Sequence, residues 1–210
     1  MIRPRLRLMP LGGSITQGVG SSHGNGYRGD LVYLLKANGY VVEMVGSRKM
    51  GTMLENAHEG WRGFRVDEID KKAKRCVANL RPNVFMVNAG SNDCLQGFGL
   101  DHIGARMTDL LENLWTSSPG STVILSTLVV HRNPEINARV MAANNAFRAL
   151  VEEKATQQKR IILADMSTSG GPTMEDLGED DTHPGDLGYK KMAGIWFHAI
   201  DEATKRDFII

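Results

Sequence analysis

Three short segments of this chain hold residues able to do chemistry together. Met9-Pro10-Leu11-Gly12-Gly13-Ser14-Ile15-Thr16-Gln17-Gly18 sets a serine in a glycine-rich turn directly after an apolar run, Gly90-Ser91-Asn92-Asp93 offers a carboxamide, and Asp180-Asp181-Thr182-His183-Pro184 offers an imidazole with carboxylates just upstream. A serine hydroxyl is a poor nucleophile by itself. It needs a base to take its proton and donors to hold the oxyanion that develops when a carbonyl is attacked. The three segments supply one of each, the set that acyl transfer from an ester requires.

Each segment alone has a plainer reading. A glycine-rich turn after a first strand also binds phosphate, or Ser14 simply caps a helix. The sequence lacks the lysine of a P-loop, however, and Gly12 to Gly20 does not spell GxGxxG. Asp-x-x-His is often a turn whose aspartate caps the next helix, and Asn92-Asp93 often an Asx turn; the combination favours chemistry. The remaining histidines, His23, His58, His102, His131 and His198, show no HExxH spacing, so neither metal nor cofactor is expected. His58 and His131 are candidates for the pocket border. Trp61 and Tyr27 are candidates for a sugar-facing wall, although aromatic residues more often pack. The run Lys71-Lys72-Ala73-Lys74-Arg75 reads as a solvated helix face.

Positioning these residues falls to alternating strands and amphipathic helices. Strands are expected near 5–9, 41–46, 84–89, 121–128 and 160–165. Ile103, Met107, Leu110, Leu111 and Leu114 recur at helical spacing, as do Ala143, Phe147, Leu150 and Val151. A last helix is expected to start at Pro184 and to align Met192, Ile195, Trp196, Ala199 and Ile200. The pattern implies an α/β fold, a three-layer α/β/α sandwich on a five-stranded parallel sheet of flavodoxin-like order. Right-handed crossovers then bring the ends of the strands near 5–9, 84–89 and 160–165 to one edge. Ser14, Asn92 and His183 each follow one of those strands, so three loops remote in sequence become neighbours. The irregular stretch from Arg48 to Arg62 reads as a loop bordering the site.

At 210 residues the chain suits one domain, 1–210, burying roughly 70% of its unfolded surface. Its 25 Lys and Arg nearly balance 24 Asp and Glu, which gives no field for nucleic acid and points to small or neutral substrates. Cys76 and Cys94 lack CxxC spacing and read as unpaired thiols. The N-terminus is basic without the apolar core of a signal peptide, and no apolar run reaches the ~18 residues of a membrane span. As written the chain reads as cytoplasmic, or as secreted if a leader was trimmed upstream of Arg3. Oligomeric state is not legible.

These segments resemble the SGNH (GDSL-type) hydrolase superfamily over nearly the whole chain. Gly12-Gly13-Ser14-Ile15 is similar to its nucleophile block, His58-Glu59-Gly60-Trp61-Arg62-Gly63 to its glycine block, Gly90-Ser91-Asn92-Asp93 to its asparagine block and Asp180-Asp181-Thr182-His183 to its Asp-x-x-His block. Met9-Pro10-Leu11-Gly12, Gly26-Tyr27-Arg28 and the His-Glu-Gly block most resemble carbohydrate esterase family three, whose members deacetylate xylan and acetylated sugars. The resemblance implies a serine ester hydrolase with Ser14, His183 and Asp180 as triad, removing short acyl groups from carbohydrate or other small esters. The oxyanion would be held by the N–H groups of Ser14 and Gly63 and the amide of Asn92. Gly60 is the alternative to Gly63, and Asp181 to Asp180. Gly13 departs from the aspartate usual before the nucleophile, and the expectation is a loosened turn with activity retained. A lysophospholipase, a general short-chain esterase and a non-catalytic flavodoxin-like domain are the competing readings.

Overall fold

The strand that leads to Ser14 is central, and its composition says so. The structure, a computed structural model, describes residues 3–209. In β1 (Arg5–Gly12), Leu6, Leu8, Met9 and Leu11 are fully buried, as a strand covered on both faces requires. The chain continues through α1 (Ser14–Gln17), α2 (Tyr27–Ala37), β2 (Val41–Met44), β3 (Arg48–Lys49), β4 (Ala57–Gly60), α3 (Val66–Leu80) and β5 (Val84–Asn88). It then runs through α4 (Ser91–Gln96), α5 (Ile103–Ser117), β6 (Thr122–Ser126), α6 (Pro134–Thr156), β7 (Ile161–Ala164) and α7 (Asp186–Lys205).

The sheet order is β3-β4-β1-β5-β6-β7, with β2 also pairing β1. The five long strands therefore lie in the flavodoxin-like order expected, all parallel. Two short strands are additional: β4 pairs parallel with β1, and β3 pairs antiparallel with β4. Both fall inside the stretch 48–62 read as a loop. One edge of β1 is divided between two partners, since Arg5 to Leu8 pair with β2 whereas Leu11 and Gly12 pair with β4. Leu8 and Gly12 turn their carbonyls to that edge, accepting from Val45 and Trp61. Pro10 shares their orientation, so its missing N–H falls in the gap between the two partners and costs no ladder bond.

Alternation along the strands feeds two cores. Val84, Met86, Ile124 and Ile162 join Tyr27, Leu31 and Leu35 of α2 and Met192, Trp196 and Ile200 of α7. Phe85, Val87, Val123 and Leu125 join Ile69 of α3, Met107, Leu110 and Leu114 of α5, and Phe147 and Leu150 of α6. The helical stripes expected in α5, α6 and α7 thus face the sheet. The last helix begins at Asp186, not at Pro184: Pro184 is bridged to Leu177, and the Gly178 and Gly185 N–H groups hold the His183 and Asp176 carbonyls, which keeps the segment extended. Among the described residues no helix is long and apolar enough to cross a membrane. Cys76 and Cys94 are free thiols, pushed up to about 12 by burial.

Candidate active site

The carboxyl ends of β1 and β5 flank the point where the chain changes direction across the sheet, the usual place for a site in such folds. Ser14 is the first residue of α1. Gly13, not Ser14, occupies the N-cap position, and the Ser14 hydroxyl makes no cap bond. Its Oγ lies instead 2.7 Å from His183 Nε2, while His183 Nδ1 lies 2.5 Å from Asp180 Oδ2. Asp180 is the carboxylate on the imidazole; Asp181 faces away and pairs with Arg132. The other Asp180 oxygen accepts the backbone N–H groups of Thr182 at 3.1 Å and His183 at 2.9 Å. Partial burial works to raise the Asp180 pKa, but the bonds from His183 and Thr182 outweigh it and hold the carboxyl below its ordinary range. Ser14 and His183 are both buried. His183 does not follow β7 directly, as expected, but comes at the end of a long excursion through 165–185 that includes a 3-10 turn at Met174–Asp176.

The glycine and asparagine segments converge on the same turn. Asn92 Nδ2 donates to the Phe64 carbonyl at 2.9 Å, and it would lie 3.3 Å from a Cβ placed on Gly13. One of its two N–H bonds thus fixes the amide, and Asn92 lines the same recess as Ser14. Gly63 and Gly60 separate clearly. The Gly60 N–H is spent on His58 Nδ1 at 2.9 Å, and a Cβ there would strike Gln17 N of α1 at 2.6 Å. Gly63 is exposed, has φ +82, meets nothing within 4 Å of its Cβ position, and its N–H engages no partner among the described residues. The Ser14 N–H lies in the first turn of α1, where no intrahelical acceptor exists. The turn after β1 and the segment after β5 thus meet at the recess lined by Ser14 and Asn92, with Phe64 from the segment after β4 on its border.

The supporting residues were less legible. Arg28 is fully buried, and its guanidinium donates to the carbonyls of Gln17, Gly24, Met50 and Asn56, fastening the loops around α1. Asp93, also fully buried, accepts the Val66 N–H at 3.0 Å and Arg106 Nη2 at 2.8 Å, tying α3 to α4. Both fall in segments that carry the family resemblance, but nothing in the sequence shows that their charges are buried. Of the two aromatic candidates for a wall, Tyr27 lies in the core with its ring 5.6 Å from that of Trp196. Trp61 is half-buried, its Nε1 donates to the buried Glu59, and Arg48 and Lys72 lie over its ring. The two form no wall. His58 is fully buried in β4, while His131 reaches the Asp180–His183 segment through Thr182. Among the described residues no group of three His, Cys, Asp or Glu side chains is placed to hold a metal ion.

The serine hydroxyl, the imidazole and the carboxylate are in hydrogen-bond contact in that order. The model of the GDSL-like lipase/acylhydrolase family matches residues 11–191. The chain belongs to this family. Among relatives of this family member, a multidomain esterase of Ruminococcus flavefaciens is 24% identical over 95% of the chain. The chain spans only 29% of that protein's length. Among solved structures, a family 3 carbohydrate esterase of Clostridium thermocellum is 26% identical, with TM-score 0.85 over 96% of this chain and 98% of that one. A carbohydrate esterase family 3 protein from Talaromyces cellulolyticus has TM-score 0.82 at 23% identity, covering 96% of this chain and 99% of that one.

Proposed function

We propose that the chain forms a single hydrolase unit that removes short acyl groups, acetyl foremost, from carbohydrate or other small esters through an acyl-enzyme. The observation that carries this reading is the unbroken run Ser14 Oγ, His183 Nε2, His183 Nδ1, Asp180 Oδ2, with contacts of 2.7 and 2.5 Å. The Asp180 contact places the ring proton on Nδ1, which leaves Nε2 to accept from the serine. His183 takes the Ser14 proton as Oγ bonds to the ester carbonyl carbon; Asp180 stabilises the imidazolium. The negative oxygen of the tetrahedral intermediate rests on the N–H groups of Ser14 and Gly63 and the Asn92 amide. Collapse returns the proton to the departing alcohol. Water then repeats the sequence on the acyl-enzyme, releasing the acid and restoring Ser14. The recess beside Ser14, bordered by Ile15, Phe64, Ala89 and Asn92, is narrow, which favours a short acyl chain.

The test is acetate release from a panel of acetylated saccharides by the native protein and by Ser14→Ala, beside p-nitrophenyl esters of increasing chain length. Release that vanishes in Ser14→Ala and declines with chain length supports the reading. Undiminished turnover of long chains would point to a lysophospholipase or general esterase. A phosphonate inhibitor should label Ser14 and spare Ser21 and Ser22; absence of any adduct would leave a non-catalytic domain.

A further inference from the structure

His131 lies outside the run of reacting groups, yet it is buried against the segment that carries two of them. Its Nδ1 accepts the Asn133 N–H at 3.0 Å, which places the ring proton on Nε2. Nε2 lies 3.2 Å from Thr182 Oγ1, and the Thr182 hydroxyl in turn donates to the Asp180 carbonyl at 3.0 Å. Donor and acceptor roles are therefore consistent along the line Asn133 N–H, His131, Thr182, Asp180 only when the imidazole is neutral. A second ring proton would oppose the Asn133 N–H with another donor. Burial lowers the His131 pKa, against the opposing pull of the Asp181 and Asp180 carboxylates.

The anchor at the far end is firm. The His131 backbone N–H donates to Asn137 Oδ1 in the first turn of α6, and Asn133 caps that helix on Glu135 and Ile136. The next residue acts on the same segment: the Arg132 guanidinium donates to the carbonyls of Met174, Leu177 and Gly178 and to Asp181 Oδ1. Asp181 itself sits at φ +59, a conformation that needs such support in a non-glycine residue. The loop after β6 thus grips the Asp180–His183 segment through both His131 and Arg132.

We propose that His131 is a positioning residue, a neutral imidazole that sets the Asp180–His183 segment against Ser14 by way of Thr182. The proposal rests on the reading of Ser14, His183 and Asp180 as the reacting groups. It is tested with p-nitrophenyl acetate on Ser14→Ala, His131→Phe, His131→Gln, Thr182→Val and the His131→Phe/Thr182→Val double variant, each with its melting temperature. His131→Phe and Thr182→Val should each lower kcat by roughly 10- to 100-fold, the scale of a small misplacement of reacting groups, with KM little changed. The double variant should be no worse than the poorer single one, because both act along one line. His131→Gln presents an amide N–H where Nε2–H stood and should recover most of the loss. Full kcat in Thr182→Val, multiplying losses in the double variant, or His131→Gln as poor as His131→Phe would each overturn the proposal. If His131→Phe does not fold, Thr182→Val and His131→Gln decide it. Turnover that survives in Ser14→Ala would instead refute the nucleophile reading on which this one stands.

Discussion

His58 gives the fold an acid-sensitive point whose size follows from its surroundings. The ring is fully buried in β4, its Nδ1 accepts the Gly60 N–H, and its Nε2 finds no partner among the described residues. Burial, with the cations of Arg28 and Arg48, lowers its pKa from 6.5 to about 3. Protonation would set a charge in the core and a donor against the Gly60 donor. The unfolded chain takes a proton below pH 6.5 that the folded chain refuses until about pH 3. The stability this ring contributes is therefore complete above 6.5 and falls as pH drops towards 3. At ~1.36 kcal/mol per pH unit, lowering the pH to about 4.5 costs roughly 2–3 kcal/mol, a large part of the ~5–15 kcal/mol typical of a domain. Urea unfolding of the native chain and His58→Asn at about pH 7.5 and 4.5 isolates the ring, since the Asn Oδ1 can still accept from Gly60 and does not titrate. The native chain should lose about 2–3 kcal/mol more than the variant between the two pH values. An equal loss in both, with equal m-values, would refute the argument.

Three further outcomes are expected. Asn92→Ala should lower kcat by about 10²–10³ while the lost bond to the Phe64 carbonyl costs only about 1 kcal/mol of stability, and Asn92→Asp should lower kcat at least as much because its charge opposes the oxyanion; steady-state hydrolysis of p-nitrophenyl acetate checks both. Gly63→Ala meets no neighbour within 4 Å and should cost only ~1 kcal/mol of backbone strain while lowering kcat, whereas Gly60→Ala, 2.6 Å from Gln17 N, should melt far earlier. Phe147→Ala should cost about 3–5 kcal/mol by denaturant titration, as its fully buried ring packs beneath the turn at Gly90.

The five long strands and the stripes of α5, α6 and α7 were legible because a two-faced sheet demands apolar runs and a covering helix demands apolar spacing. The two short strands were not. β3 is Arg-Lys and β4 is Ala-His-Glu-Gly, whose polar side chains are buried by bonds between particular residues, Glu59 with Ser47 and Trp61 and His58 with Gly60. No periodicity announces such pairs. Ser14, Asn92, Asp180 and His183 stood out as residue types at telling places, and Gly63 was preferred to Gly60 on the sequence; the conformation of each glycine adds a physical reason, since the Gly60 N–H is already spent on His58. The roles of Arg28, Arg132 and His131 depend on loops meeting across the fold, a relation that local sequence does not carry.

The divided edge of β1 has a mechanical consequence. Gly12 and Gly60 are cross-strand neighbours, and the ladder continues one step further through the Trp61 N–H on the Gly12 carbonyl at 2.8 Å. Ser14 and Gly63 thus spring from adjoining rungs of the rigid interior, each only a few bonds beyond its root. A displacement of β1 at Gly12 must therefore also move Trp61, so the turn that carries the alcohol and the start of the segment leading to Gly63 share one anchor.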